Sequence, residues 1–176
     1  GYAMSCILSG HDDIILYMGH CKESQPESRR MCTNHAFDPF YCRPIGMDFL
    51  NVDAMQARAY MEKSGVTDEM LAKVVVRSRK NAKKDPYARP NMAANVQDVI
   101  NSPMLADPLH KVDCSPVSDG CCAVIIGAGD RAKKCAKQPV WIKGAAFCAD
   151  SYFMGDRDIS RARSLEDAAA RDFRMG

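Results

Sequence analysis

Three of the nine cysteines in this 176-residue chain crowd around an Asp-Gly turn in HKVDCSPVSDGCCAVIIG, from His110 to Gly127. Thiols so placed could hold a metal, close a disulfide, attack a substrate or simply pack. Structural zinc sites present paired ligands separated by about two to four residues. Here Cys121 and Cys122 are adjacent, so on a strand they point to opposite faces. Cys114 has no second close pair, and His20 with Cys21 and Cys32 with His35 are the other candidates. The spacing rule is unmet, and no metal site is expected. A nucleophilic thiol needs its pKa lowered, by a helix amino terminus or a neighbouring base. Cys121 and Cys122 open a strand instead, where apolar surroundings raise it. Cys114 could lie nearer a cleft, but no histidine follows it at a suggestive place. All three are expected to be structural, small side chains that let a helix lie close to the sheet.

The wider composition narrows the class. Nine cysteines is an odd number in a chain that is not short, and several sit in apolar runs, as Cys6 does beside Ile7 and Leu8. Free thiols in a reducing cytoplasm fit this better than a secreted disulfide framework. The 47% apolar content predicts a sizeable core for one domain, and a formal charge of +2 with scattered basic residues points away from nucleic acid. No apolar run approaches the ~20 residues of a membrane span, and MSCILSG is too short, and lacks the basic leader, for a secretory signal. The cluster Arg77, Arg79, Lys80, Lys83 and Lys84 is expected to be a solvated helix face, since cations at a helix end already have a stabilising role.

The elements that would position these residues follow from pattern. Ile14 to Met18 is a continuous apolar run ending at Gly19, as in a parallel strand buried on both faces. QPESRRMCTNHAFDPFYCRP, with three prolines and no period, is an irregular excursion. In NVDAMQARAYMEKSG, Val52, Met55, Ala59 and Tyr60 share a helical face and Gly65 is the stop. In VTDEMLAKVVVRSRKNAKKDP, Thr67 caps, Asp68 and Glu69 suit the first turn, and Pro86 blocks continuation. Leu71, Val74, Val75, Ser78 and Ala82 make its inward stripe. NVQDVINSPM predicts a short helix ended by Pro103, and a strand runs from Cys121 to Ile126. QPVWIKGAAFC predicts a third strand, and SLEDAAARDFRMG a helix capped by Ser164. Strand, helical insertion, strand, strand and helix make an α/β pattern with something inserted in it.

Taken together, these segments resemble the thiolase superfamily in its sterol-carrier or lipid-transfer-protein branch. MQARAYMEKSGVTDEMLAKVVVRSRKNAKKDPYA looks like that branch's helical loop domain, including the turn from Gly65 to Thr67. NVQDVINSPMLADPLHKVDCSPVSDGCCAVIIG looks like the approach to, and last strand of, the amino-terminal half. Related sequences read Cys-Ser-Pro-x-Ser-Asp-Gly-Ala-Ala-Ala-Val at this place, so Cys121 and Cys122 stand where alanines are usual. ILSGHDDIILYMGHCKES resembles the strand before the loop domain, and PVWIKGAAFCADSYFMGDR the entry into the carboxyl-terminal half.

The resemblance implies a layered αβαβα fold. Residues 1–24 would end the amino-terminal half, 25–112 would form the loop domain, 113–136 would hold the last strand and connection, and 137–176 would begin the second half. It implies acyl-CoA C-acyltransferase chemistry on a 3-ketoacyl-CoA through an acyl-cysteine, with coenzyme A as substrate and no permanently bound cofactor. Ser115 stands where the wider family has a serine near the pantetheine arm of coenzyme A, and Pro44 to Gly46 resembles a loop lining the acyl pocket. The family's nucleophilic cysteine precedes the stretch starting at Gly1. Its His-Asp-Cys-Phe-like and Gly-His-Pro motifs follow Gly176, and neither occurs here. No catalytic residue is therefore expected within 1–176. An internal fragment and one piece of a split or processed subunit both fit. Two other functions stay open: a coenzyme A-ester retro-aldolase of the lipid-transfer type, and a non-catalytic assembly subunit. Expected partners are an acyl-CoA, a second copy or complementary thiolase chain, and a small protein with an OB-fold and zinc ribbon. Nucleic acid and membrane are not expected, and a cytoplasmic location is.

Overall fold

The computed structural model describes residues 1–26, 29–88, 95–135, 137–151 and 153–175. Glu27 and Ser28 of the irregular excursion, Ala136 at an expected boundary, Tyr152 and Gly176 lie outside the described residues. In chain order the elements begin with α1 (Tyr2–Leu8), β1 (Ile14–Lys22), α2 (Arg29–Asn34), α3 (Phe49–Ser64), α4 (Asp68–Ala82) and α5 (Val96–Ile100). The short strands β2 (Met104–Ala106) and β3 (Leu109–His110) follow, then β4 (Asp119–Gly127), α6 (Gly129–Cys135), a 3-10 turn (Met154–Asp156) and α7 (Arg163–Met175). The result is mixed α/β, divided into two units.

The first unit comprises 1–22, 119–150 and 162–176. β1 and β4 pair antiparallel over their whole length, from Ile14 opposite Gly127 to Lys22 opposite Asp119. Both strands were expected, but not this pairing, and β1 runs on through Gly19. The buried parallel strand predicted from the apolar run is corrected on two counts. The pairing is antiparallel, and Leu16, Tyr17, Met18, Val124 and Ile125 are exposed. Their apolar character is real, but among the described residues the helices packed most against the two strands are the seven-residue α1 and α6, too little to cover both faces. Cys121 and Cys122 are exposed for the same reason, where packing was expected. The third strand predicted over 138–148 has no regular secondary structure. Its composition suits a strand, but a strand exists only on a ladder, and neither β1 nor β4 pairs with it.

Local polar bonds fix the ends of this unit. Ala128 donates its N–H to the Asp13 carbonyl at 2.8 Å, and the Arg131 guanidinium meets the Asp13 carboxylate at 3.3 Å, anchoring α6 to the start of β1. Ser164 is not the cap of α7. It lies inside the first turn, where its N–H and Oγ donate to the Asp150 carboxylate at 3.1 and 2.8 Å. A carboxylate from outside the helix thus takes over an orphan donor and suits the dipole there. Gly144 passes so close to α7 that an added Cβ would fall 2.6 Å from the Asp172 carbonyl oxygen. Backbone cannot swing aside as a side chain can. Gly144→Ala is expected to destabilise this unit by about 1–3 kcal/mol, measured by denaturant unfolding, and an unchanged midpoint would contradict the close approach.

The second unit comprises 23–118 and 151–161 and contains the buried apolar residues Cys42, Val52, Ala54, Met61, Ala72 and Val99. This core is smaller than composition alone suggested. Asp48 caps α3, its Oδ1 accepting the Asn51 N–H at 2.9 Å, and Gly65 ends the helix at φ +71, a left-handed conformation that glycine adopts without strain. Val52 of the predicted face of α3 is buried, as are Ala54 and Met61 on the opposite side, whereas Met55 and Tyr60 of the predicted face are 44% and 47% exposed. Thr67 caps α4 as expected, accepting from the Met70 N–H at 3.4 Å. Ala72 is its buried residue, while Val74 and Ser78 of the predicted stripe are exposed. Asn95 and Asp98 form a reciprocal capping box on α5.

The 151–161 segment joins this unit through polar and aromatic contacts. Lys63 Nζ donates to Asp158 Oδ2 at 2.8 Å and to Ser160 Oγ at 3.1 Å, and the Phe153 ring lies 5.9 Å from that of Tyr41. The Lys63 and Ser160 donors hold the Asp158 carboxyl well below its ordinary 3.8. A carboxylate whose pKa is depressed when docked favours docking fully above its free value, and that contribution is lost as pH falls below it. Protection of 151–161 against hydrogen exchange, taken relative to the intrinsic rate at each pH, is expected to fall between about pH 5 and about pH 2, and the fall should vanish in Lys63→Ala. Equal pH sensitivity in both proteins would count against the latch.

Candidate functional site

A cleft of about 470 Å³ opens in the second unit, within the range of ordinary small-ligand sites. Four pieces of chain build it. α2 contributes Arg29, Arg30 and Thr33; the start of α3 contributes Asp48, Phe49, Leu50 and Asp53. The β2–β3 hairpin supplies Leu105 and Leu109, and the segment after it Asp113, Cys114 and Ser115. Two cations, three carboxylates, a thiol and two hydroxyls thus converge on an apolar floor. A second hollow, of about 740 Å³, lies in the first unit against α1 and β1, with His11 and Asp12 but no cation among its lining residues.

The segment that delivers Ser115 is held firmly. Lys111 N–H donates to the Pro103 carbonyl at 2.8 Å, and Val112 N–H to Ser102 Oγ at 3.3 Å. The His110 N–H reaches Asp113 Oδ2 at 2.6 Å, and Arg79 donates to the Val112 carbonyl at 2.6 Å. Arg79 therefore departs from the solvated basic face expected of its cluster: it is half-buried and ties α4 to the loop. Arg30 Nε donates to Asp48 Oδ2 at 2.7 Å, while Arg29 pairs with Glu23 at 3.5 Å.

The electrostatics suit binding more than reaction. Burial first, then the negative charges of Asp113 and Asp53, push the Cys114 thiol up from 9.0, with Arg29 opposing. Partial desolvation raises the Asp53 carboxyl as well. Cys114 does line the cleft, as its position suggested, yet it is held as a thiol and not as the nucleophilic thiolate. All nine cysteines are free, and among the described residues no group of three or more His, Cys, Asp or Glu is placed to hold a metal ion. No helix among them is long and apolar enough to cross a membrane.

Of the residues singled out in the sequence, Ser115 and Cys114 reach this cleft, whereas Pro44 to Gly46 are absent from its lining and Cys121 and Cys122 lie on β4 of the other unit. Arg29 and Arg30 were missed because they fall in the stretch that seemed patternless, and Asp48 because it lies between that stretch and the helix predicted from Asn51. A signal existed for one of them: Asp48 stands three residues before Asn51, just ahead of a periodic apolar run, which is an N-cap signature.

Acetyl-CoA acetyltransferase of Methanothermobacter thermautotrophicus is 36% identical over 170 residues, spanning 96% of this chain and 44% of that one. Sterol carrier protein 2 of Gallus gallus is 28% identical over 86 residues, 49% of this chain and 16% of that one. The chain belongs to the thiolase superfamily, of the sterol-carrier and lipid-transfer-protein type. A steroid side-chain-cleaving aldolase of Thermomonospora curvata is 38% identical over 97 residues, 53% of this chain and 24% of that one. The solved Ltp2-ChsH2(DUF35) aldolase shares the fold, with a TM-score of 0.76 over 98% of this chain and 47% of its own, at 24% identity. No protein-family model matches. This thiolase-type chain thus spans less than half the length of the archaeal acetyltransferase it matches. It is homologous to enzymes that act at carbon–carbon bonds of CoA esters.

Proposed function

We propose that this chain forms the coenzyme A cradle of an acyl-CoA C-acyltransferase that makes or cleaves a carbon–carbon bond in a 3-ketoacyl-CoA. The observation that carries this is the cleft itself, where Arg29 and Arg30 of α2 stand with the carboxylates of Asp48, Asp53 and Asp113, Leu50, Leu105 and Leu109 supply apolar surface, and Thr33 and Ser115 add hydroxyls. A coenzyme A ester has the matching character: phosphoryl groups at one end and a thin, weakly polar pantetheine arm at the other. The cations favour the first, and the apolar walls with Ser115 favour the second. In this reading residues 25–112 are the loop domain, 1–24 and 113–136 close the amino-terminal half, and 137–176 open the second half. The acyl-accepting cysteine and the proton-transferring histidines then belong to chain outside 1–176, where the cysteine would form the acyl intermediate and backbone donors would stabilise its oxyanion. The exposed apolar strands β1 and β4 support association with further thiolase chain or a second copy.

Calorimetric titration with coenzyme A is expected to give saturable binding that weakens as salt rises, with no acyl transfer by residues 1–176 alone. Single-turnover acyl transfer by the isolated chain would overturn the proposal.

The aldolase relative, at 38% identity over half of this chain, favours a second reading: retro-aldol cleavage of a CoA ester without an acyl-enzyme. A small partner protein, in the manner of the Ltp2-ChsH2(DUF35) aldolase, would accompany it. Trapping an acyl thioester on the full-length protein selects the acyltransferase. Activity that survives loss of the upstream cysteine selects the aldolase.

A further inference from the structure

We propose that Asp48 is a positioning residue that holds the Arg30 guanidinium at the cleft, where its terminal nitrogens receive a phosphoryl group of the ligand. This rests on the reading of the cleft as a coenzyme A cradle. The pair is markedly unequal in exposure: the Asp48 side chain is 3% exposed and the Arg30 side chain 62%. A buried carboxylate is tolerated when its oxygens are satisfied. Here Oδ1 accepts the Asn51 N–H and caps α3, while Oδ2 accepts Arg30 Nε at 2.7 Å. Capping alone calls for no charge, because neutral Asn and Ser cap about as well as Asp. The charge of Asp48 is matched instead to Arg30.

The atom used is the informative detail. Nε lies on the inner edge of the guanidinium, so the bond fixes the plane of the group without spending its two terminal nitrogens on Asp48. Those nitrogens form the fork that recognises phosphate oxygens in pairs. Thr33 lies three residues on along α2, on the same helical face as Arg30, and also lines the cleft. Because Asp48 is anchored to the start of α3, beside Phe49 and Leu50 of the floor, the cation is held in register with the apolar part of the site. An arginine left free would lose rotamer entropy on binding.

The test compares coenzyme A with pantetheine, which lacks the phosphoryl groups, by calorimetry on the full chain and its variants. Arg30→Ala is expected to weaken coenzyme A binding by about ten- to a hundred-fold and to leave pantetheine within about twofold of wild type. Asp48→Asn keeps the capping acceptor and loses the charge. It is expected to weaken coenzyme A by about tenfold with pantetheine unchanged. Arg30→Lys, which keeps the charge but has no Nε to be held, should resemble Asp48→Asn and not wild type. Equal losses for both ligands would show a purely structural tie between α2 and α3 and overturn the inference, as would unchanged coenzyme A affinity in Arg30→Ala. If wild type binds no coenzyme A, the cradle reading itself fails. If it binds and the Arg30 variants lose nothing, this inference alone fails.

Discussion

Ser115→Phe is expected to reduce coenzyme A affinity by at least about a hundred-fold, equivalent to about 2.7 kcal/mol. Ser115 stands at the edge of the 470 Å³ cleft, on a segment that Ser102, Pro103 and Arg79 hold in place through hydrogen bonds. A backbone so fixed cannot retreat, so the added ring occupies space that the pantetheine arm would fill. The neighbouring thiol supplies the control. Cys114→Ser changes one atom in a residue held as an unreactive thiol, and its affinity should stay within about threefold of wild type. Calorimetric titration of both variants decides the matter. Strong binding by Ser115→Phe would place the ligand elsewhere, and a large loss in Cys114→Ser would give that thiol a direct role.

Val99→Asp is expected to abolish cooperative unfolding of the second unit. Val99 is 2% exposed, the fourth residue of the five-residue helix α5, which packs against α4. A carboxylate there has no partner supplied for it, and an unpaired buried charge costs several kcal/mol, on the order of the whole stability of a small domain. Val99→Ala should cost about 1–3 kcal/mol and keep the transition. Circular dichroism against denaturant separates the two outcomes. An intact cooperative transition in Val99→Asp would show that α5 is not part of the core.

The unequal legibility of the chain has physical causes. α4 was readable almost to the residue because Thr67, Asp68, Glu69 and the terminal lysines are local signals that act within one turn. β1 and β4 were readable as strands, but their antiparallel pairing was not, since an apolar run does not name its partner. The 138–148 segment shows the same limit in reverse: strand-like composition without a ladder to join. α2 escaped notice because a six-residue helix beginning Arg29-Arg30 carries no acidic first turn to announce it. At the site, the resemblance pointed to Ser115, and the structure brings it to a cleft. Arg30 and Asp48 became visible only in three dimensions, because eighteen residues separate two groups that meet at 2.7 Å.

The pairing of Lys22 with Asp119 has one more consequence. The long excursion departs and returns at facing rungs of the same ladder, so its length and content can change without altering the register of the β1–β4 pair. Such a graft point lets ligand preference diversify while the supporting strands stay put. Residues 151–161 belong to the same unit as the cassette, so an exchange of the cassette would also have to replace them.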